Sequence, residues 1–230
     1  MDERHRRDLR SYGRRRGRKP SRRQVALIDQ LLPDVVLSLS DPAATPLSKL
    51  FVVPVREVWL EIGFGGGEHL LWQAAQNPDV GLIGCEPFQD GVTKVLRGIE
   101  DGKIANVRLY ADDARAVLRW LPEASLARAF ILFPDPWPKK RHQKRRLVSV
   151  GLLRELARVM AAGAELRVAT DIGDYARAML QATHSEASFV WEPQGPGDWR
   201  QRPVDWPATR YEQKAIHEGR RCTYLSLRRR

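Results

Sequence analysis

Five short apolar segments recur through the middle of the chain, each followed by a stretch of helical spacing. They are EVWLEI from Glu57, GLIGCE ending at Glu86, NVRLYA ending at Ala111, ARAFILF ending at Phe133 and AELRVAT ending at Thr170. The helical stretches between and after them are HLLWQAAQ, residues 90–102, ARAVLRWL, RRLVSVGLLRELARVM and DYARAMLQATH. Short strands that alternate with helices predict βαβ units and an α/β fold, a mostly parallel sheet with helices on both faces. Two later segments, ASFVWE and CTYLSLR, read as strands added at the sheet's end, separated by the Pro- and Trp-rich stretch 193–208. At 230 residues the chain suits one such domain over 24–230, preceded by an Arg-rich tail over 1–23 that is expected to be flexible when free.

The charge is uneven. Residues 1–23 hold ten Arg and one Lys against Asp2, Glu3 and Asp8, and the chain closes on Arg228-Arg229-Arg230. A third cluster, Lys139 to Arg146, carries six cations and no acid, within a formal net charge of +11. Concentrated positive charge favours a polyanion through counterion release, so nucleic acid is the expected partner. No apolar run is long enough to span a membrane, and Cys85 and Cys222 form no metal-binding or disulfide pattern. His5, His69, His142, His184 and His217 show no ligand spacing, so no metal is expected and the setting reads as cytoplasmic.

The first strand runs into Glu61-Ile62-Gly63-Phe64-Gly65-Gly66-Gly67. Glycines between a strand and a helix let backbone approach a ligand closely. A dinucleotide site wants G-x-G-x-x-G, whose third glycine would fall at Glu68. The observed E-x-G-x-G-x-G resembles the first motif of class I S-adenosylmethionine-dependent methyltransferases. That ligand has no pyrophosphate, and a carboxylate near its sulfonium and amino group is electrostatically sensible. Glu86 ends the second strand nineteen residues past Gly67, where an acid can accept from both ribose hydroxyls. Asp112-Asp113 follows the third strand. One of the two can meet an adenine amino group, or can instead cap the next helix.

The fourth strand ends in FPDPWPKKRH, Phe133 to His142. Prolines on either side of Asp135 restrict its backbone, so less entropy is lost when a substrate docks. Trp137 can stack on a base or pack against the sheet. This motif, with Tyr12-Gly13-Arg14-Arg15-Arg16-Gly17-Arg18, Glu61 to Gly65, Glu86, Gly91-Val92, the run on to Leu147, Ala169-Thr170-Asp171 and Thr209-Arg210-Tyr211-Glu212, resembles the bacterial tRNA (guanine-N7)-methyltransferase family. The likeness extends from about Tyr12 onward. Its specific elements are FPDPWPKKRH and the distal T-x-x-E. Pro87, where a β-branched residue is expected, and Gly163-Ala164, in place of a Gly-Gly pair, depart from the family pattern without removing a charged group.

The resemblance implies a Rossmann-like fold and methylation of N7 of guanosine 46 in the tRNA variable loop, with S-adenosylmethionine as cofactor. It implies cofactor contacts from Glu61, Gly63, Gly65, Glu86, Asp113 and Asp135, with Asp135 also the catalytic candidate. Lys139, Asp171, Thr209, Arg210, Tyr211 and Glu212 would contact substrate. Arg141, His142, Gln143, Lys144, Arg145 and Arg146 would contact RNA. The expected form is a monomer or weak homodimer acting on tRNA without metal or membrane. Either Asp135 or Asp171 can face the guanine. The 191–206 stretch, with Trp191, Trp199 and Trp206, reads as core packing plus a lid, with direct base stacking as the alternative. Two rival readings are a non-catalytic RNA-binding protein on the same fold, which would be expected to lose the cofactor acids, and an NAD-dependent enzyme, which Glu68 disfavours.

Overall fold

A computed structural model describes residues 13, 15, 17, 19–40, 43 and 46–230. Most of the Arg-rich tail, Met1 to Tyr12 in full, lies outside the described residues. In chain order the elements are α1 Arg22–Gln30, α2 Leu32–Val35, β1 Glu57–Ile62, α3 Glu68–Gln76, β2 Val80–Cys85, α4 Gln89–Gly102 and β3 Val107–Tyr110. They continue as α5 Ala114–Trp120, β4 Leu126–Leu132, α6 Val150–Val159, β5 Met160–Thr170, α7 Gly173–Glu186, β6 Phe189–Val190, α8 Gly197–Arg200, α9 Arg210–His217 and β7 Thr223–Arg229. The first helix begins inside the span expected to be tail. Ser21 and Gln24 start it with a reciprocal capping box.

The described residues form a seven-stranded sheet in the order β3-β2-β1-β4-β5-β7-β6. All five strands from β1 to β5 pair in parallel, and β7 is antiparallel to both β5 and β6. The two late strands do extend the sheet's end, but the last in sequence lies inside the earlier one. Pairing from Glu165↔Arg228 to Thr170↔Thr223 puts β7 directly on β5. That nesting depends on which strand offers the longer unpaired edge, and the short β6 offers only two residues.

Side chains alternate across β1. Val58, Leu60 and Ile62 join the apolar layer shared with α5, α6 and α7, whereas Trp59 joins the layer shared with α3 and α4. Both faces are therefore covered, which is why the strands are apolar almost throughout. The expected long helix from Arg145 instead starts at Val150. Ser149 adopts an extended backbone and its Oγ accepts the Leu152 N–H, which fixes the start, while Lys140–Arg145 wind as a 3-10 turn. Trp206 is core, and Trp191 and Trp199 meet edge to face against the apolar layer. Among the described residues no helix is long and apolar enough to cross a membrane.

Leu60, fully buried in the central strand, sets the scale of core stability. Leu60→Ala should cost about 2–5 kcal/mol, seen as a lower urea midpoint with an unchanged m-value.

Candidate active site

The order β2-β1-β4 means that the chain leaves β1 toward one side of the sheet and returns through β4 on the other. A crevice opens at the carboxyl ends of these strands, where such sheets bind ligands. It holds a cavity of about 750 Å³, lined among others by Gly63, Gly65, Glu86, Asp113, Asp135 and Tyr211.

Gly63, Gly65 and Gly67 all take left-handed backbone angles, with φ of 78°, 55° and 80°. Only glycine adopts such a succession without strain. The turn is also tightly cradled. A Cβ added at Gly91, in the first turn of α4, would lie 2.2 Å from the Gly65 carbonyl oxygen. The Glu86 carboxylate closes the other side, accepting from the Gly65 N–H at 2.8 Å and the Phe88 N–H at 2.9 Å. Burial raises the Glu86 pKa above its usual value. The two N–H bonds oppose this, and the nearby Asp135 and Glu61 charges reinforce it.

Asp112 and Asp113 divide two tasks. Asp113 is the N-cap of α5, accepting the Arg115 N–H at 3.0 Å, and its two oxygens also pair with the Arg115 guanidinium. Burial pushes its pKa up, but the Arg115 bonds outweigh that and hold it below the usual range. Asp112 pairs with Arg15 at 2.7 Å, and the Arg15 carbonyl accepts the Gln89 N–H. So this part of the basic segment lies on the cavity's rim, and Gly13 lines the cavity itself.

The FPDPWP turn is strained and pinned. Phe133 and Trp137 have φ of 51° and 42°. For large side chains this conformation costs of order 1–3 kcal/mol each. The Phe133 N–H bonds the Ala169 carbonyl, and the Pro136 carbonyl accepts from Arg146 Nε at 3.0 Å. The Arg146 guanidinium also pairs with Asp174 at 2.6 Å and lies over the Tyr175 ring at 4.8 Å. Its side chain is only 7% exposed, and Arg146, expected as an RNA contact, is found lining the cavity. Tyr175 is itself held by the Val148 N–H, and burial pushes its phenol up to about 12. Asp135 is exposed on the cavity wall between the two anchors. Trp137 also lines the cavity, with Arg145 at 4.9 Å over its ring and His142 against its edge. Lys139, Arg141 and Lys144 are exposed, whereas Gln143 donates to Asp174.

The distal T-x-x-E is a helix start. Thr209 caps α9 by accepting the Glu212 N–H at 3.2 Å. Glu212 is buried, accepting from the Tyr224 hydroxyl at 2.5 Å and pairing with Arg202. Burial, helped by the Glu212 charge, raises the Tyr224 pKa. The motif thereby lays Tyr211 over the glycine turn, 3.1 Å from where a Gly65 Cβ would stand, while Arg210 is exposed beside it. Asp171 pairs with Arg220 at 2.7 Å and does not line the cavity. Glu61 does not line it either. It is buried against His69 at 2.7 Å, one residue before the lining residue Ile62.

Sequence reasoning missed His69, Arg115 and the buried role of Arg146. Nothing in residue spacing separates a cation under a loop from one on its surface. Among the described residues no group of three or more His, Cys, Asp or Glu could hold a metal ion. The lining does fit S-adenosylmethionine. Carboxylates at the ends of β2 and β3 and on the FPDPWP turn suit amine and hydroxyl donors and a sulfonium, and Glu68 at the start of α3 would repel a pyrophosphate.

A family model described as "Putative methyltransferase" matches residues 55–225. A tRNA (guanine-N(7)-)-methyltransferase of Rhodospirillum rubrum is 47% identical over 238 aligned residues, covering 100% of this chain and 91% of that protein. The chain belongs to the tRNA (guanine-N(7)-)-methyltransferase family. The relative of that name in Brucella abortus is 47% identical, with 95% of this chain and 94% of the other covered. Among solved structures, the 16S rRNA methyltransferase KamB superposes with a TM-score of 0.57 at 17% identity, covering 82% of this chain and 95% of that one. An antibiotic-related methyltransferase gives 0.56 at 13% identity, covering 83% and 96%. These likenesses show the class I methyltransferase fold that the sheet order describes.

Three outcomes follow for this family member. The first concerns stability at acid pH. The depressed Asp113 value contributes stability above the ordinary carboxylate pKa of about 3.9, and this is lost as pH falls through the lower folded value. Acid unfolding of Asp113→Asn, followed by circular dichroism, should therefore be shallower in that window. Gly91→Ala should displace Gly65 and weaken cofactor binding in calorimetry about tenfold or more, since its Cβ has no room against backbone. Arg146→Ala should lower turnover without changing the salt slope of RNA binding, whereas Lys140→Ala should reduce that slope by about 1.

Proposed function

We propose that this protein transfers the methyl group of S-adenosylmethionine to N7 of guanosine 46 in the variable loop of tRNA. The observation that carries the reading is the FPDPWP turn. Asp135 sits on the cavity wall with Glu86 and Asp113, and the cationic run begins four residues later at Lys139. Acid for a cationic cofactor and base for a polyanionic substrate thus meet on one pinned loop.

Guanine N7 carries a lone pair and no proton, so no general base is needed to create the nucleophile. When bound, S-adenosylmethionine supplies an electrophilic methyl group on a sulfonium. The task of the chain is to hold N7 in line with it, a contribution of up to about 7–11 kcal/mol in favourable intramolecular models. Methylation leaves the base cationic. A carboxylate accepting from guanine N1–H and the 2-amino group favours that charge, helping the transition state more than the ground state. Asp135 is our candidate for this role, because it faces the cavity while Asp171 is engaged by Arg220. Tyr211 covers the glycine turn, and Lys139, Lys140, Arg141 and Lys144 provide the phosphate contacts. The target base must be accessible, which calls for local opening of the tRNA core. Cys85 and Cys222 are free thiols, which suits action in the cytoplasm.

Incubation with unmodified tRNA and labelled cofactor, followed by mapping of the methylated base, tests the reading. Label at N7 of guanosine 46 is expected; label on another base, or none, would overturn it. Asp135→Asn should lower kcat by at least about tenfold at saturating cofactor.

A further inference from the structure

The Glu61–His69 pair belongs to a longer buried chain of hydrogen bonds. His69 is 2% exposed, and its Nδ1 lies 2.7 Å from Glu61 Oε2. Its Nε2 lies 3.2 Å from Gln73 Nε2. The orientation of the Gln73 amide is set from both ends. Its Nε2 donates to the Asp205 carbonyl at 2.8 Å, and its Oε1 accepts from Asn77 Nδ2 at 3.1 Å. The second Gln73 N–H therefore points at His69 Nε2, which must accept it. An imidazole that accepts at Nε2 carries its proton at Nδ1 and donates it to Glu61. Phe130 at 4.6 Å and Trp206 at 5.6 Å meet the ring and hold its plane.

Among the described residues His69 bonds Glu61 at Oε2, and Oε1 is the oxygen that would meet a ligand seated past the neighbouring, cavity-lining Ile62. Glu61 lies near enough to raise the pKa of Glu86, the acid that holds the glycine turn. The same chain reaches Asp205, which pairs with Arg167 at 2.7 Å and so ties the stretch before α9 to the sheet.

We propose that His69 is a positioning residue for cofactor binding. Locked in its Nδ1–H form by Gln73, it turns the Glu61 carboxylate toward the amino group of the methyl donor. This rests on the reading of Glu61 as a cofactor contact, and the two can fail separately.

Cofactor binding is measured by calorimetry on the full chain for Glu61→Gln, His69→Phe and His69→Asn. The Asn amide can place an N–H near the Nδ1 position. His69→Phe should weaken binding roughly tenfold to hundredfold, the range for a hydrogen bond to a charged group, and His69→Asn should restore most of it. Loss in Glu61→Gln with binding within twofold of the parent in His69→Phe would overturn the positioning role and keep the Glu61 contact. Unchanged binding in Glu61→Gln would remove both. Nitrogen-15 NMR of the unsubstituted protein provides a readout that survives if a variant fails to fold. A proton on Nδ1 of His69 is expected, and a proton on Nε2 instead overturns the assignment.

Discussion

Everything at the active site depends on the central strand β1 having parallel neighbours on both sides, β2 and β4. A parallel neighbour can be reached only by a crossover, and two crossovers in opposite directions cannot cover the same strand end. The carboxyl ends of β1 and β4 are thus left without a covering helix between them. The glycine turn, Glu86, the Asp112-Asp113 pair and the FPDPWP turn all leave the sheet at that end. A catalytic site of this kind is a consequence of topology before it is a matter of individual side chains.

Charge is then sorted by depth. The cavity is lined by both signs, with Glu86, Asp113 and Asp135 beside Arg115, Lys144 and Arg145; burial raises the Glu86 pKa, and the nearby Asp135 and Glu61 charges add to that. Not every basic residue serves the outside. Arg115 and Arg146 are drawn inward to pair with Asp113 and Asp174, and each holds a loop end in place. The strained Phe133 and Trp137 backbones persist because the Ala169 carbonyl and Arg146 tie the turn down at both ends. A turn held this way presents Asp135 with little freedom left to lose.

Much of this was legible in the chain. Short continuous apolar runs and helical spacing marked the five parallel strands and their helices, because strands buried on both faces have to be apolar nearly throughout. Departure from G-x-G-x-x-G, with an acid in place of the third glycine, separated this turn from a pyrophosphate site for a chemical reason. The helix from Arg145 was misplaced because Ser149 takes an extended backbone as a cap, and a helical apolar pattern continues across it unbroken. T-x-x-E was recognisable, but its mechanical part was not. The glutamate is buried under Tyr224 while Tyr211 alone reaches the glycine turn.

By itself the sequence determined the fold class, the strand-end acids and the clusters of cationic charge, since each follows from residue type and local spacing. Tertiary structure decided which charges face outward. Arg146 and Lys144 are two residues apart in one basic run, yet one is buried on Tyr175 and the other is exposed. Glu61 and His69 meet only because the turn between them folds the helix start back over the strand end. Hydrogen-bond partners of buried polar groups are chosen by three-dimensional proximity in a low-dielectric interior, and no one-dimensional pattern carries that information.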